Sequence, residues 1–154
     1  MFQAMRRQDR MLSQAETEEI LVNGVYGVLS INGDNDYAYG IPLSYVYLGS
    51  SIYFHCALEG EKLTRIGCNN KVAFCVVGEA DLLPEQFSVR YKSAVIFGAA
   101  SVVGEQEKTP VLMAFIEKYS RSFIEKGKEY VSTSAHRTAV VKITIEQLTG
   151  KARK

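Results

Sequence analysis

The sequence has no surplus of either charge. Its 18 Lys and Arg stand against 17 Asp and Glu, a formal net charge of +1, and the cations are scattered along the chain, which argues against a nucleic-acid partner. It has only three cysteines, Cys56, Cys68 and Cys75. Their odd number and the lack of a C-x-x-C pair argue against a disulfide framework and assign them to the core. No apolar run is long enough to cross a bilayer, and the first ten residues lack the apolar stretch of a signal peptide, so no membrane partner and a reducing cytoplasm are expected. Internal repeats and an obvious nucleophile set are also missing. Metal ligation is not expected either: His136 is the one histidine besides His55, and neither has a Cys or carboxylate at ligand spacing.

What is present suits one globular domain over residues 1–154, 47% of them hydrophobic, which is enough to bury a core. Ser13 and Glu16 form a capping box that predicts a helix over 14–23, stopped by Gly24. A buried strand follows over 25–31. Residues 32–36 then form a turn in which Asp34 and Asp36 serve turn chemistry and not catalysis. Residues 37–48 are extended, with Gly40 and Pro42 marking a bulge or an edge where backbone groups are freed. After a turn at 49–51, the strand 52–57 sets Ile52, Phe54 and Cys56 on one face and Tyr53, His55 and Ala57 on the other.

A helix over 61–69, a fully apolar strand over 72–77 and a polar loop over 79–88 around Pro84 come next. Residues 91–103 read as a long strand, with Gly98 a bend or a point of close approach and Gly104 its end. Thr109-Pro110 reads as a helix start, with Leu112, Phe115, Ile116 and Tyr119 as its apolar stripe and an end within 121–127. A sixth strand covers 138–145. Residues 1–12 form an arm, and 150–154 a basic tail with a mobile end. Six strands with few helices make the chain mainly β, a small closed or split barrel with flanking helices.

The most informative stretch is 41–66. Lys62 falls in the first turn of a helix, where the dipole makes a cation mildly unfavourable unless an anion binds there, and Gly60 before it allows close approach of a phosphate. The competing reading leaves Lys62 a solvated residue, with Glu59 and Glu61 balancing the dipole. His55 can donate a proton or hydrogen bond to a ligand near neutral pH, or can simply be a half-buried histidine bonded to a loop carbonyl. Tyr45, Tyr47 and Tyr53 are pocket aromatics or packing residues. Arg6, Arg7 and Arg10 read as a solvated arm, because no second basic cluster or interleaved aromatic accompanies them in sequence.

Four segments together carry a family likeness: 39–47 (YGIPLSYVY), 52–62 (IYFHCALEGEK), 91–98 (YKSAVIFG) and 148–153 (LTGKAR). The chain resembles the flavin-binding split barrels related to pyridoxamine phosphate oxidase, and within them the nitroimidazole-resistance type. The resemblance implies a six-stranded, Greek-key-like split barrel that forms a homodimer, with FMN, or FAD in its place, at the subunit interface. It implies a flavin ring resting along Ile41, Pro42, Leu43 and Ser44. His55 then lies beside the ring as the catalytic group, Gly60 and Lys62 meet the phosphate, and the segment from Tyr91 to Ser93 helps form the pocket. Pyridoxamine phosphate oxidases carry Ser-Arg-Lys at the helix entry where this chain has Gly60-Glu61-Lys62. The implied activity is reduction of small electron-poor acceptors such as nitroimidazoles. A non-catalytic flavin carrier or redox sensor, a pyridoxamine phosphate oxidase-like enzyme and a barrel holding a pyridoxal form are the other readings.

Overall fold

A computed structural model describes residues 2–33 and 37–153; the Asp34 and Asp36 turn lies outside the described residues. Helix α1 (Gln14–Asn23) begins with the expected capping box: Ser13 Oγ accepts the Glu16 N–H at 3.3 Å and Glu16 Oε2 accepts the Ser13 N–H at 2.9 Å. It stops at Gly24, but not through a left-handed cap, since Gly24 has φ −62°. Glycine is required there by space. A Cβ would sit 2.5 Å from the Tyr45 hydroxyl oxygen and 2.6 Å from a Val76 methyl.

Seven strands, one more than expected, form a single antiparallel sheet: β1 (Gly27–Ile31), β2 (Tyr39–Leu43), β3 (Val46–Leu48), β4 (Ser51–Ala57), β5 (Lys71–Leu83), β6 (Ser88–Val102) and β7 (Thr138–Arg153). The extra strand arises because 37–48 divides at Ser44 and Tyr45. The strand order is β2-β1-β5-β6-β7-β4-β3. The two edge strands are thus neighbours in sequence, only two residues apart. The sheet has to curl until its edges almost meet, which makes a barrel whose seam is not closed by a ladder.

Strand alternation builds two cores from this curl. Ile52 and Phe54 of β4 and Val141 and Ile143 of β7 face the barrel interior with Leu29, Phe74 and Ile96, all fully buried. Tyr53 and Val140, one residue out of phase, face the other way and pack with Val111, Leu112, Phe115 and Val131. Each large apolar side chain buried in this way contributes about 1.5–3 kcal/mol relative to exposure. Of the cysteines, Cys56 and Cys75 are half-buried, whereas Cys68 is exposed and not a core residue.

The outer core is covered by α3 (Glu105–Tyr119) and α4 (Ile124–Ser134). Helix α3 starts four residues before the expected Thr109-Pro110, so Pro110 lies inside it. Pro110 is exposed and early in the helix, where its missing N–H costs one hydrogen bond on the solvent side. Gly127 belongs to α4 and lets it close on α3, because a Cβ there would meet Ile116 at 2.2 Å.

The expected polar loop at 79–88 is instead the end of a long hairpin. β5 and β6 remain paired out to Leu83 and Ser88 across an irregularity between Val77 and Ala80, and Phe87 turns the chain at φ 48°. The expected tail also differs: residues 150–153 continue β7 and pair with β6 as far as Tyr91 opposite Arg153. The N-terminal arm lies along that strand, with the Leu12 N–H donating to the Gly150 carbonyl at 3.0 Å and Met11 bridging to Lys151.

Candidate functional site

Helix α2 (Glu61–Cys68) follows β4 through Gly60, its N-cap residue, at φ 136°. This conformation favours glycine. Among the described residues no side chain caps the helix, which leaves its first N–H groups without a side-chain acceptor, and a Cβ on Gly60 would meet nothing within 4 Å. Lys62 is half-buried and has no ion-pair partner among the described residues. Its charge reaches the Cys56 thiol, whose pKa is raised by burial and drawn back by Lys62. Glu61 is committed elsewhere: it pairs with Arg65 at 2.7 Å. Arg65 in turn is buried, donates to the Tyr37 carbonyl at 3.1 Å and lies 4.9 Å over the Tyr39 ring, tying α2 to the start of β2. The sequence reading missed Arg65, because its contacts with Tyr37 and Tyr39 are distant in sequence.

Ile41, Pro42, Leu43 and Ser44 run along the outermost strand and into the seam. Among the described residues β2 pairs only with β1, with Pro42 opposite Val28, so it is the edge that the Gly40 and Pro42 pattern allows. β3 pairs with β4 in the register Val46 to Tyr53 and Leu48 to Ser51. Continued by two residues, that register puts Ser44 opposite His55. Residues 41–44 border the seam on one side, and on the other β4 turns His55 toward Phe115 and leads through residues 58–60 into the Gly60–Lys62 entry.

His55 is exposed on one side, and on the other its ring packs edge-on against Phe115, centroids 4.7 Å apart. Burial against that ring lowers its pKa, so the imidazole is neutral at pH 7. The contact is with an aromatic ring and not with the loop carbonyl of the competing sequence reading. The three tyrosines are packing residues. Tyr45 and Tyr53 are buried, with hydroxyls donating to the Leu21 carbonyl at 2.7 Å and to Glu107 at 2.7 Å, and Tyr47 packs on the inner core.

The seam itself is held by two residues the sequence reading did not assign to it. The Tyr45 N–H donates to the Tyr119 hydroxyl at 3.0 Å, and the hydroxyl proton of Tyr119 has the carbonyls of Val25 (2.7 Å) and Tyr45 (2.8 Å) within reach. Lys118 Nζ donates to the same Tyr45 carbonyl at 3.0 Å and lies 4.0 Å over the Tyr45 ring. Burial draws the Lys118 pKa down to about 8. These bonds replace the ladder that β2 and β3 cannot form with each other. In sequence, Tyr119 showed only as part of an apolar stripe.

Tyr91 and Ser93 are not part of this seam. They lie on β6 eleven and nine residues before Val102, which pairs with Val141 beside the His55 row. At about 3.3 Å per residue, that is on the order of 30 Å along the strand. A concavity of about 610 Å³ opens elsewhere again, between the end of α1 and the base of the hairpin, lined by Ile20, Gly24, Val77, Gly78 and Lys92. Neither His55 nor Lys62 lines it.

Among the described residues no cluster of three or more His, Cys, Asp or Glu could hold a metal ion, and no helix is long and apolar enough to cross a membrane. No curated protein matches the sequence significantly. Several solved structures share the fold. A candidate 5-nitroimidazole antibiotic resistance protein from Bacteroides thetaiotaomicron is 19% identical, with a TM-score of 0.71 over 92% of this chain and 86% of that one. A FAD-binding protein from Mesorhizobium loti is 21% identical, with a TM-score of 0.66 over 94% and 98% of the two chains. The flavocytochrome Anf3 of Azotobacter vinelandii is 15% identical, with a TM-score of 0.83 over 98% and 72%. At these identities the likeness is one of fold. The family is set by the sequence, since residues 13–152 match the model described as pyridoxamine 5'-phosphate oxidase; the chain belongs to that family.

Proposed function

We propose that this protein binds a flavin, FMN or FAD, along its open barrel edge and uses it to reduce small electron-poor acceptors such as nitroimidazoles. The observation that carries the reading is the entry to α2: an uncapped helix N-terminus behind a glycine at φ 136°, open space at the Cβ position of that glycine, and a half-buried Lys62 with no ion pair among the described residues. That donor set fits a phosphate monoester. The β2 edge at Ile41, Pro42, Leu43 and Ser44 offers backbone donors and acceptors to the polar edge of a planar ring. The FAD-binding relative and the nitroimidazole-resistance relative share this fold.

When bound, a flavin supplies the electron transfer, and the chain supplies binding, orientation and protons. Lys62 and the α2 amides hold the phosphate. Gly60 keeps the approach free of side chain. His55, neutral because it is packed on Phe115, acts as a hydrogen-bond donor to the acceptor in place of a charged acid. Tyr91 and Ser93 join the pocket from a second copy in a homodimer.

The test is direct. Purified protein is expected to take up FMN or FAD stoichiometrically with a yellow absorbance spectrum, and the loaded protein to oxidise NADH or NADPH in the presence of a nitroimidazole. Lys62→Ala is expected to weaken flavin binding by at least about tenfold, the scale of one lost charge-assisted contact, while moving the melting temperature by less than about 2 °C. A protein that takes up neither flavin removes the proposal. One that holds flavin but turns over no donor and acceptor pair is a carrier or redox sensor.

A further inference from the structure

The arginines of the N-terminal arm are isolated in sequence, but the fold gives them company. Docking of the arm on β7 brings Arg10 beside Lys151 and Arg153, around the Tyr91 side chain. All four residues are half-buried. Tyr91 lies opposite Arg153 in the ladder, Lys151 Nζ is 6.0 Å from its ring centroid, and Arg153 donates to the Ser88 hydroxyl, an uncharged partner. Burial would raise the Tyr91 pKa, but the nearby Lys151 and Arg10 cations outweigh it and bring the phenol down. The neighbouring charges are already matched: Arg7 with Asp9 at 2.5 Å, Arg90 with Asp81 at 2.9 Å, and Lys92 with Glu79 at 3.9 Å. Arg10, Lys151 and Arg153 have no ion-pair partner among the described residues. Three half-buried cations around one phenol make a positive spot that an anion would complement.

Two concavities of about 380 and 370 Å³ flank this cluster and share Ala152 and Arg153 as a common wall. Each has the size of a small-molecule site. One is lined in part by the apolar Met11 and Leu12 together with Asp9 and Glu16, the other by Tyr91 together with Glu79, and Lys151 borders the cluster without lining either. The cations come from two segments, the arm and β7, which suits a polyanion that several groups can reach better than a carboxylate that a single arginine could hold in its fork.

We infer that the Arg10, Lys151, Arg153 and Tyr91 cluster is a binding site for the diphosphate of a nucleotide, with the nucleoside lying in one of the flanking concavities. Within one chain the cluster lies far from the α2 entry; Tyr91 is the residue it shares with the flavin pocket proposed for the homodimer, so for a flavin dinucleotide the inference rests on that reading. Two ligands share this chemistry: the adenylate end of a flavin dinucleotide, and a reduced nicotinamide dinucleotide acting as electron donor.

Calorimetric titration of the full chain with ADP and with adenosine, at low ionic strength, tests the site. ADP is expected to bind saturably and adenosine at least tenfold more weakly. Lys151→Gln and Arg10→Gln, each checked for an unchanged melting curve, are expected to weaken ADP binding about tenfold or more, with Lys151→Arg retaining it. Displacement of ADP by FAD alone assigns the site to the flavin, and displacement by NADH or NADPH alone assigns it to the donor. Absence of saturable ADP binding, or ADP binding that survives both Lys151→Gln and Arg10→Gln, overturns the inference. Flavin uptake, which is read through Lys62→Ala, is unaffected by that failure.

Discussion

Lys118 shows how one side chain can trade stability for closure of a seam. It holds the Tyr45 carbonyl at 3.0 Å where no ladder exists, yet its ammonium is half-buried and its pKa falls from 10.5 to about 8. Between those values the unfolded chain binds the extra proton, so folding stability from this residue rises as pH climbs from about 8 to about 10.5, and the full penalty applies below pH 8. Lys118→Met removes the titration. The unfolding free energy of wild type relative to Lys118→Met, from urea melts, is therefore expected to grow in favour of wild type between pH 7.5 and 9.5; a flat or falling difference would refute the burial argument. Such a role could not be read from the sequence, where Lys118 is one more polar residue between Glu117 and Tyr119. Its partner lies 73 residues away. Distance also hid the Arg65 contact with Tyr37, 28 residues away, whereas the helix start after Gly60 was legible because its signal is local.

At the scale of elements, the contrast between local and distant signals recurs. The Ser13 and Glu16 capping box is a four-residue pattern and fixed the start of α1, and the two faces of β4 followed from alternation alone. Helix α3 was misplaced because its true cap, Gly104, has no side chain to announce it, while Thr109-Pro110 imitates a start. The hairpin end was read as loop because exposed strands need no apolar alternation, and their ladder comes from backbone groups that every residue has. Gly98 was read as a bend or close approach, and the second holds: a Cβ there would lie 2.3 Å from the Thr144 carbonyl oxygen, beside the bulge where β6 and β7 shift register. Backbone cannot yield as a flexible side chain can. Gly98→Ala is thus expected to cost about 2–4 kcal/mol in denaturant unfolding, whereas Gly104→Ala, with nothing within 4 Å, is expected to cost no more than about 1 kcal/mol. Equal losses at the two sites would show that space is not what selects glycine at position 98.

For the whole molecule, the spacing of the candidate residues argues for more than one chain. The proposed flavin pocket takes the 41–44 edge, His55 and Lys62 together with Tyr91 and Ser93, which stand on the order of 30 Å along β6 from the strand pair beside His55, a separation no side-chain motion closes. A twofold axis resolves this, because an isologous contact brings one patch of each copy to the complementary patch of the other and makes two identical composite sites. The 17.2 kDa chain is accordingly expected to run in light scattering at twice that mass. The stricter test is complementation. Lys62→Ala and Tyr91→Ala homodimers, each deficient in flavin binding, are unfolded, mixed and refolded together. In a mixed dimer one site inherits both defects and the other inherits neither, so random pairing is expected to restore about a quarter of the wild-type flavin sites. If all four groups served one site within a single chain, mixing would restore nothing, and the Tyr91 end of the sheet would have to act on its own.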